Sequence, residues 1–450
     1  MQVSFRALEY QSDETVRSAE YRFDGDESTG WEVQVDGRPR LQLGPGYRLL
    51  QSDRCGVCST DLARAYLPFP LPQVTGHEVV ATDSAGQRYA VEINASHSAR
   101  RLEHSCEFCR VGLANHCPER LVLGIHDLPG GFGPHILAPV DALHPLSKDI
   151  DSDTGTLIEP LAAALHGVTT VRPQTGQRVT VLGPRKLGML TVAALAAYRS
   201  DRDIDFRIAA VSRRHDLLEL ARRLGADSTR TSGETLESSD IVIDTTGKPD
   251  GLETAIGLAR AEVHLKSTHG RPAAGLANLT ALVVDELNLR PFESLPLGGV
   301  IAWLCDQPAP PGLEVVRGTS AEILAQLEAR PGLGRADAVV VDSPAGIDAA
   351  IRPVEGREVS LVRPRASIYL ANGHWDGSSL CRAIVGRGLR LSSSRCGDFA
   401  EAIRLIESSA PLRQLASQMV THRFDSSQLE LALATARTPQ CIKAIVEHKR

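Results

Sequence analysis

Residues 179–190 read VTVLGPRKLGML, and the fold turns on them. A run of strand character, Val179 to Leu182, ends in Gly183; Gly188 then opens an apolar stretch suited to a helix. A glycine turn between a strand and a helix lets phosphate oxygens approach the N–H groups of the helix's first turn. The dinucleotide-binding fingerprint for such a turn is G-x-G-x-x-G. Gly183, Leu187 and Gly188 keep its frame, but Arg185 stands at the middle position. A side chain there either crowds a pyrophosphate or pairs with it through the guanidinium.

The flanking sequence extends this unit. IDFRIAAVSRR, SSDIVIDTTG and AEVHLKSTHG read as strands, with helices HDLLELARRLGA and GLETAIGLAR between them. Strictly alternating strands and helices, with strands apolar on both faces, predict a doubly wound parallel sheet. The second strand ends in Ser212-Arg213-Arg214. An acidic residue there would accept hydrogen bonds from a ribose 2′-hydroxyl, whereas a hydroxyl and guanidinium suit a 2′-phosphate and favour NADP over NAD. The alternative is a pair of solvated arginines at a helix start.

From about residue 291 to 385 the pattern recurs. RADAVVVDSPAGIDAAI…ASIYLANG runs beside SSDIVIDTTGKPDGLETAIGLARAEVHLKSTHG, and LEVVRGTSAEILAQLEAR beside IAAVSRRHDLLELARRLGA. This reads as a degenerate second strand–helix module offset by about a hundred residues, unless two pieces of α/β sheet merely look alike. No glycine-rich loop opens it, so it is expected to extend the sheet or an interface rather than bind a second nucleotide.

The first 150 residues differ in texture. YRFDGDESTGWEVQVDGRPRLQL holds two extended runs about a Gly/Asp turn, a hairpin signal, and further short strands follow without helices between them. A compact, mostly β domain is expected. Across all 450 residues, 49 Lys+Arg against 55 Asp+Glu argue against nucleic acid as a partner. No run reaches the length of a membrane span, and the charged N-terminus lacks a signal peptide's apolar core, so a cytoplasmic protein without membrane partners is expected. Five of the nine cysteines lie between Cys55 and Cys117, which in a reducing compartment points to metal.

Two clusters could hold that metal. RCGVCSTDLARAYLPFPLPQVTGHE, residues 54–78, offers Cys58 and His77, with the Thr60 hydroxyl beside the thiol and Glu78 beside the imidazole. A catalytic zinc takes three protein ligands and leaves a fourth position open. Glu159, at the start of the helix IEPLAAALHG, is a candidate for the third place, with Glu78 a competitor or a group behind the ligands. Taken singly, each has a blander role: a core thiol, a hydrogen-bonded imidazole, a carboxylate at a helix start. The second cluster is Cys106-x2-Cys109-x7-Cys117, which needs a fourth ligand from His97, Glu103 or His104 to close a structural zinc site. Otherwise the thiols are simply reduced.

Together these stretches resemble the zinc-dependent medium-chain dehydrogenase/reductase superfamily, the alcohol, sorbitol and threonine dehydrogenase group. CGVCSTDL looks like its first-ligand turn, TGHE its histidine motif, and IEPLAAALHG the polyol and threonine dehydrogenase version with a glutamate ligand. The lobe up to Cys117 resembles its structural-zinc lobe with His97 in place of the first cysteine, and VLGPRKLG its nucleotide loop. The resemblance implies a GroES-like catalytic domain at about 1–160, completed by 400–450, and a Rossmann domain at 161–399 enlarged by the 291–385 segment. It implies a catalytic zinc on Cys58, His77 and Glu159, with Thr60 as proton relay, and hydride transfer between a nicotinamide and a small alcohol or its carbonyl. It also implies a homo-oligomer, dimer or tetramer. Arg185, the altered lobe and the enlarged sheet depart from the family pattern. They keep two alternatives open: a homologue that acts by binding or assembly, and a lyase or epimerase that uses nicotinamide transiently.

Overall fold

A computed structural model describes residues 1–267, 271–296 and 298–449. The chain divides into two compact units. One comprises Met1–Ala162 and Gly397–Arg450, the other Ala163–Cys396.

The first unit opens with a four-stranded antiparallel meander, Gln2–Tyr10, Val16–Asp26, Gly30–Val35 and Arg38–Leu43. Period-two alternation drives it. Ala19, Tyr21 and Phe23 turn inward while Ser18 and Glu20 stay exposed. The expected hairpin is the middle pair, whose turn is held by the Asp26 carboxylate accepting from the N–H groups of Ser28 at 2.8 Å and Thr29 at 2.9 Å. Trp31 Nε1 donates to the Tyr47 carbonyl at 2.9 Å and ties this sheet to the next.

The next sheet has seven strands and centres on Tyr47–Gly56. This strand pairs antiparallel with Glu78–Thr82 on one side and with Lys443–Glu447, from the far end of the chain, on the other. Gly56 faces Glu78 across one ladder and Ile445 across the other. A Cβ at Gly56 would lie 2.3 Å from Glu78 Oε2 and 2.7 Å from Lys443 Cε, so the missing side chain makes room for what those two residues do.

The second unit is one eleven-stranded sheet. Its strands are β1 (Arg178–Leu182), β2 (Arg207–Ser212), β3 (Ser228–Thr231), β4 (Ser239–Asp244), β5 (Ala259–Leu265), β6 (Asn288–Pro291), β7 (Val300–Leu304), β8 (Glu314–Val316), β9 (Ala336–Val341), β10 (Val362–Leu370) and β11 (Arg390–Ser393). Their spatial order is 3-2-1-4-5-11-6-10-9-7-8. The first six form the doubly wound order of a Rossmann fold, 3-2-1-4-5-6, with β11 as sixth strand. The AEVHLKSTHG strand ends at Leu265, and its last three residues lie outside the described ones. The 291–385 segment does extend the sheet, but the result is not wholly parallel. β6 meets β11 antiparallel at Leu289↔Leu391. Strands such as ADAVVV bury both faces, as a sheet covered on both sides requires.

Candidate active site and metal centres

The turn at Cys58 is held by a residue that motif reading passed over. Asp61, 1% exposed, accepts the Cys58 N–H at 2.8 Å and the Gly76 N–H at 3.1 Å. Its Oδ1 also lies 3.3 Å from His77 Nδ1. One carboxylate therefore joins the cysteine turn to the histidine turn and faces Nδ1, so that Nε2 is the nitrogen that would be turned toward a metal. Burial alone would depress His77, but Asp61 and the Cys58 sulfur outweigh it and hold the imidazole well above its ordinary range. The loop between the two turns is closed by Arg64, whose guanidinium donates to the carbonyls of Phe69, Pro70 and Ile125 and to Gln73 Oε1.

Cys55 and Cys58 part company here. Cys55 is fully buried, and burial pushes its thiol well above the usual range, with Asp61 and Glu78 adding to the shift. Cys58 is half-buried, and its Sγ lies 3.7 Å from Thr60 Oγ1. Glu78 is engaged by the buried Lys443 ammonium, which also donates to the Val57 carbonyl at 3.4 Å. Burial would lower Lys443, but Glu78, Cys58 and Glu159 raise it above its usual range. Asp61 thus ties Cys58 to His77, and Lys443 holds Glu78, while the ligand atoms of Cys58, His77 and Glu159 are not drawn within 4.8 Å of one another as those of the cysteine lobe are. Thiolate, imidazole and carboxylate form a donor set that suits a catalytic zinc. Glu78 is committed to a salt bridge with Lys443, which sets it behind the ligands rather than among them. The signals for the two overlooked residues were Asp61's spacing, three after Cys58 as in a capping box, and a lone lysine inside the apolar run CIKAIVE.

The cysteine lobe is drawn tighter. The ligand atoms of His97, Cys106, Cys109 and Cys117 all lie within 4.8 Å of one another, the only such group among the described residues. Cys106 Sγ and Cys117 Sγ are 3.7 Å apart, and His97 Nδ1 lies 3.3 Å from Cys117 Sγ. A tetrahedron with Zn–S arms of about 2.3 Å has edges of about 3.8 Å, so the set fits the ion. His97 takes the fourth place, not Glu103 or His104. Its Nε2 is 3.3 Å from Glu119 Oε2, the outer carboxylate that commonly orients a ligating histidine. Burial pushes Cys117 up to about 12. At Cys109 burial acts the same way, but hydrogen bonds from Ser98, His97 and Cys106 outweigh it and bring the thiol down to about 7. The Cys109→Ser protein is expected to carry one zinc fewer per chain by elemental analysis; an unchanged zinc content would remove this site.

In the second unit the glycine turn is pinned from two sides. Gly183 has φ +74°, and its N–H donates to the Val211 carbonyl at 3.0 Å. Thr245 Oγ1 donates to the Leu182 carbonyl at 2.7 Å. A Cβ on Gly188 would meet that same hydroxyl at 2.5 Å, so this glycine permits close packing of the helix Lys186–Arg202 on β4. Arg185 caps that helix with φ −125°, not the positive value that demands glycine. At the end of β2, Ser212 is buried and its Oγ accepts the Arg214 N–H at 3.2 Å. Arg213 is exposed, whereas Arg214 is salt-bridged to Asp216. Beyond the carboxyl end of β5, Lys266 is buried and donates to the carbonyls of Ser394 at 3.0 Å and Arg395 at 3.1 Å.

With this geometry in hand, the relatives are informative. Residues 44–148 match the alcohol dehydrogenase GroES-like domain family. The L-threonine 3-dehydrogenase of Rhizobium johnstonii is 26% identical over 237 residues. Residues 44–148 belong to that family, and the chain as a whole is similar to the medium-chain dehydrogenases. The match to the threonine dehydrogenase takes in 50% of this chain and 66% of that enzyme. Among solved structures, the L-idonate 5-dehydrogenase of Escherichia coli has a TM-score of 0.62 at 16% identity and covers 99% of each chain. A Sinorhizobium meliloti dehydrogenase solved with NADP has a TM-score of 0.57 at 18% identity, again with 99% coverage of each. Identities this low speak for the fold, not for a substrate. No described helix is long and apolar enough to cross a membrane.

Proposed function

We propose that this protein is a zinc-dependent oxidoreductase that moves a hydride between a secondary alcohol or polyol, or its carbonyl, and a nicotinamide dinucleotide, NADP before NAD. The observation that carries it is Asp61 bridging Cys58 to His77 while Lys443 engages Glu78, which supports taking Glu159 as the third donor. Cys58, His77 and Glu159 would hold the zinc. When bound, zinc supplies the Lewis acidity that lowers the pKa of a substrate hydroxyl. Asp61 would keep His77 oriented, and Thr60, beside the Cys58 sulfur, would pass the substrate's proton toward solvent. The Gly183–Gly188 turn would hold the dinucleotide's pyrophosphate at the N-terminus of the helix it opens.

Zinc analysis with NADP(H) titration of the purified protein tests the reading. Absence of both zinc and nucleotide binding would return the chain to a role in binding or assembly. The cofactor preference has its own test. Replacing Arg213 and Arg214 with glutamine is expected to weaken NADP about tenfold, roughly the loss of one charge-assisted hydrogen bond, and NAD by less than about twofold. Equal losses would discard the 2′-phosphate assignment.

A further inference from the structure

We infer that the eleven-stranded sheet is a pair of half-sheets folded from one chain about a local two-fold, with their last strands exchanged, so that the lateral edge of the nucleotide half is closed to pairing with a second copy. From the joint outward, one half runs 11-5-4-1-2-3 and the other 6-10-9-7-8. Each half is parallel within itself, and the two meet antiparallel only at β6 and β11. The sequence repeat noted above matches β2 with β8, β4 with β9 and β5 with β10, the same pairs that occupy equivalent places in the two halves.

The sixth strands are traded. β6 follows β5 in the chain but pairs with β10; β11 follows β10 but pairs with β5. Both arrive by equivalent routes: a helix, Leu279–Val284 or Ser379–Arg387, then Leu287-Asn-Leu289 or Leu389-Arg-Leu391. Leu289 and Leu391 are counterparts in this repeat, and they face each other at the joint, both fully buried. In an isologous pair, the residue that meets its own counterpart lies on the axis.

Buried polar contacts seal the joint. Glu286, 3% exposed, pairs with Arg365 at 2.8 Å and accepts the Arg395 N–H at 2.7 Å. Ser393 Oγ donates to the carbonyls of Leu282 at 2.9 Å and Leu287 at 3.0 Å. Each contact ties the first module's link to the second module's strands. An open β11 edge would be a template for another chain, and here it is filled by the chain itself. The second half has lost the other attribute of its counterpart. After β7 comes CDQPAPPGL with no helix, so no phosphate turn follows that strand. Any homo-oligomer must therefore use a different surface.

Two experiments test this. In the wild-type protein, amide exchange of peptides spanning 288–291 and 390–393 is expected to stay equally slow over about a hundredfold dilution, since the pairing is intramolecular. Protection that falls on dilution would overturn it. Leu289→Cys with Leu391→Cys is the second test, because directly opposed antiparallel residues have Cα atoms about 4.5–5.5 Å apart, within disulfide reach. The expected product is a cross-link within one chain, running at monomer mass on a non-reducing gel, with each single variant uncross-linked. A species of doubled mass, or no cross-link in a folded double variant, would overturn the proposal; should the double variant fail to fold, the exchange measurement decides.

Discussion

Cys58→Ala is expected to remove one zinc per chain and more than about a hundredfold of any dehydrogenase activity, while leaving the fold intact. The lower bound follows from metal sites generally, where losing a partner behind a ligand already costs about 10–100-fold. The fold should survive because Cys58 is half-buried at the start of a one-turn helix, Ser59–Leu62, and the Asp61 contacts that tie its turn to Gly76 use backbone N–H groups. Elemental analysis should show the lobe zinc retained, and circular dichroism should be unchanged. Cys55→Ala is the contrast: its buried thiol has no metal to release. Equal zinc loss in both variants, or full activity in Cys58→Ala, would show that the ligand assignment is wrong.

Lys443→Met is expected to destabilise the first unit by about 3–5 kcal/mol, because it strands a buried carboxylate. The Lys443 and Glu78 side chains are only 4% and 2% exposed, so water cannot replace the lost partner. Gly56 leaves no side chain in the way of the pair, which spans two strands on either side of it. Adding Glu78→Gln should recover much of the loss, since a buried amide is far cheaper than an unpaired charge. The measurement is urea unfolding of the wild type and these two variants. A loss in Lys443→Met within about 0.5 kcal/mol, the range of an ordinary surface change, would mean that the pair does not stabilise the unit.

Much of the site was legible residue by residue. Cys58, His77, Thr60 and Glu159 stand in local motifs, and Cys-x2-Cys advertises its own geometry. Asp61 and Lys443 were not read, for different reasons. Asp61 is local, but its work is to bridge to Gly76, fifteen residues on, and nothing in spacing alone assigns that contact. Lys443 is remote: it reaches Glu78 only because the closing strand pairs with Tyr47–Gly56. The choice among His97, Glu103 and His104 was likewise open until the lobe was folded, because all three lie within reach of the same turn. For the nucleotide loop, spacing located the turn, but only the backbone shows that Arg185 sits at negative φ and that Thr245 closes on Gly188.

By itself the sequence determined the two textures of this protein, strands with period-two alternation and then strands alternating with helices, and with them the mostly β and doubly wound halves. It also determined which residues could bind metal, since ligand chemistry belongs to side chains. The repeat was visible as well, as strand–helix modules about a hundred residues apart. The tertiary structure alone decided how the two modules join. Strand patterns report burial on each face but not the neighbour along the hydrogen-bonding edge, because backbone N–H and C=O groups are the same in every residue. The exchange of β6 and β11, and the antiparallel meeting of Leu289 with Leu391, rest on that edge.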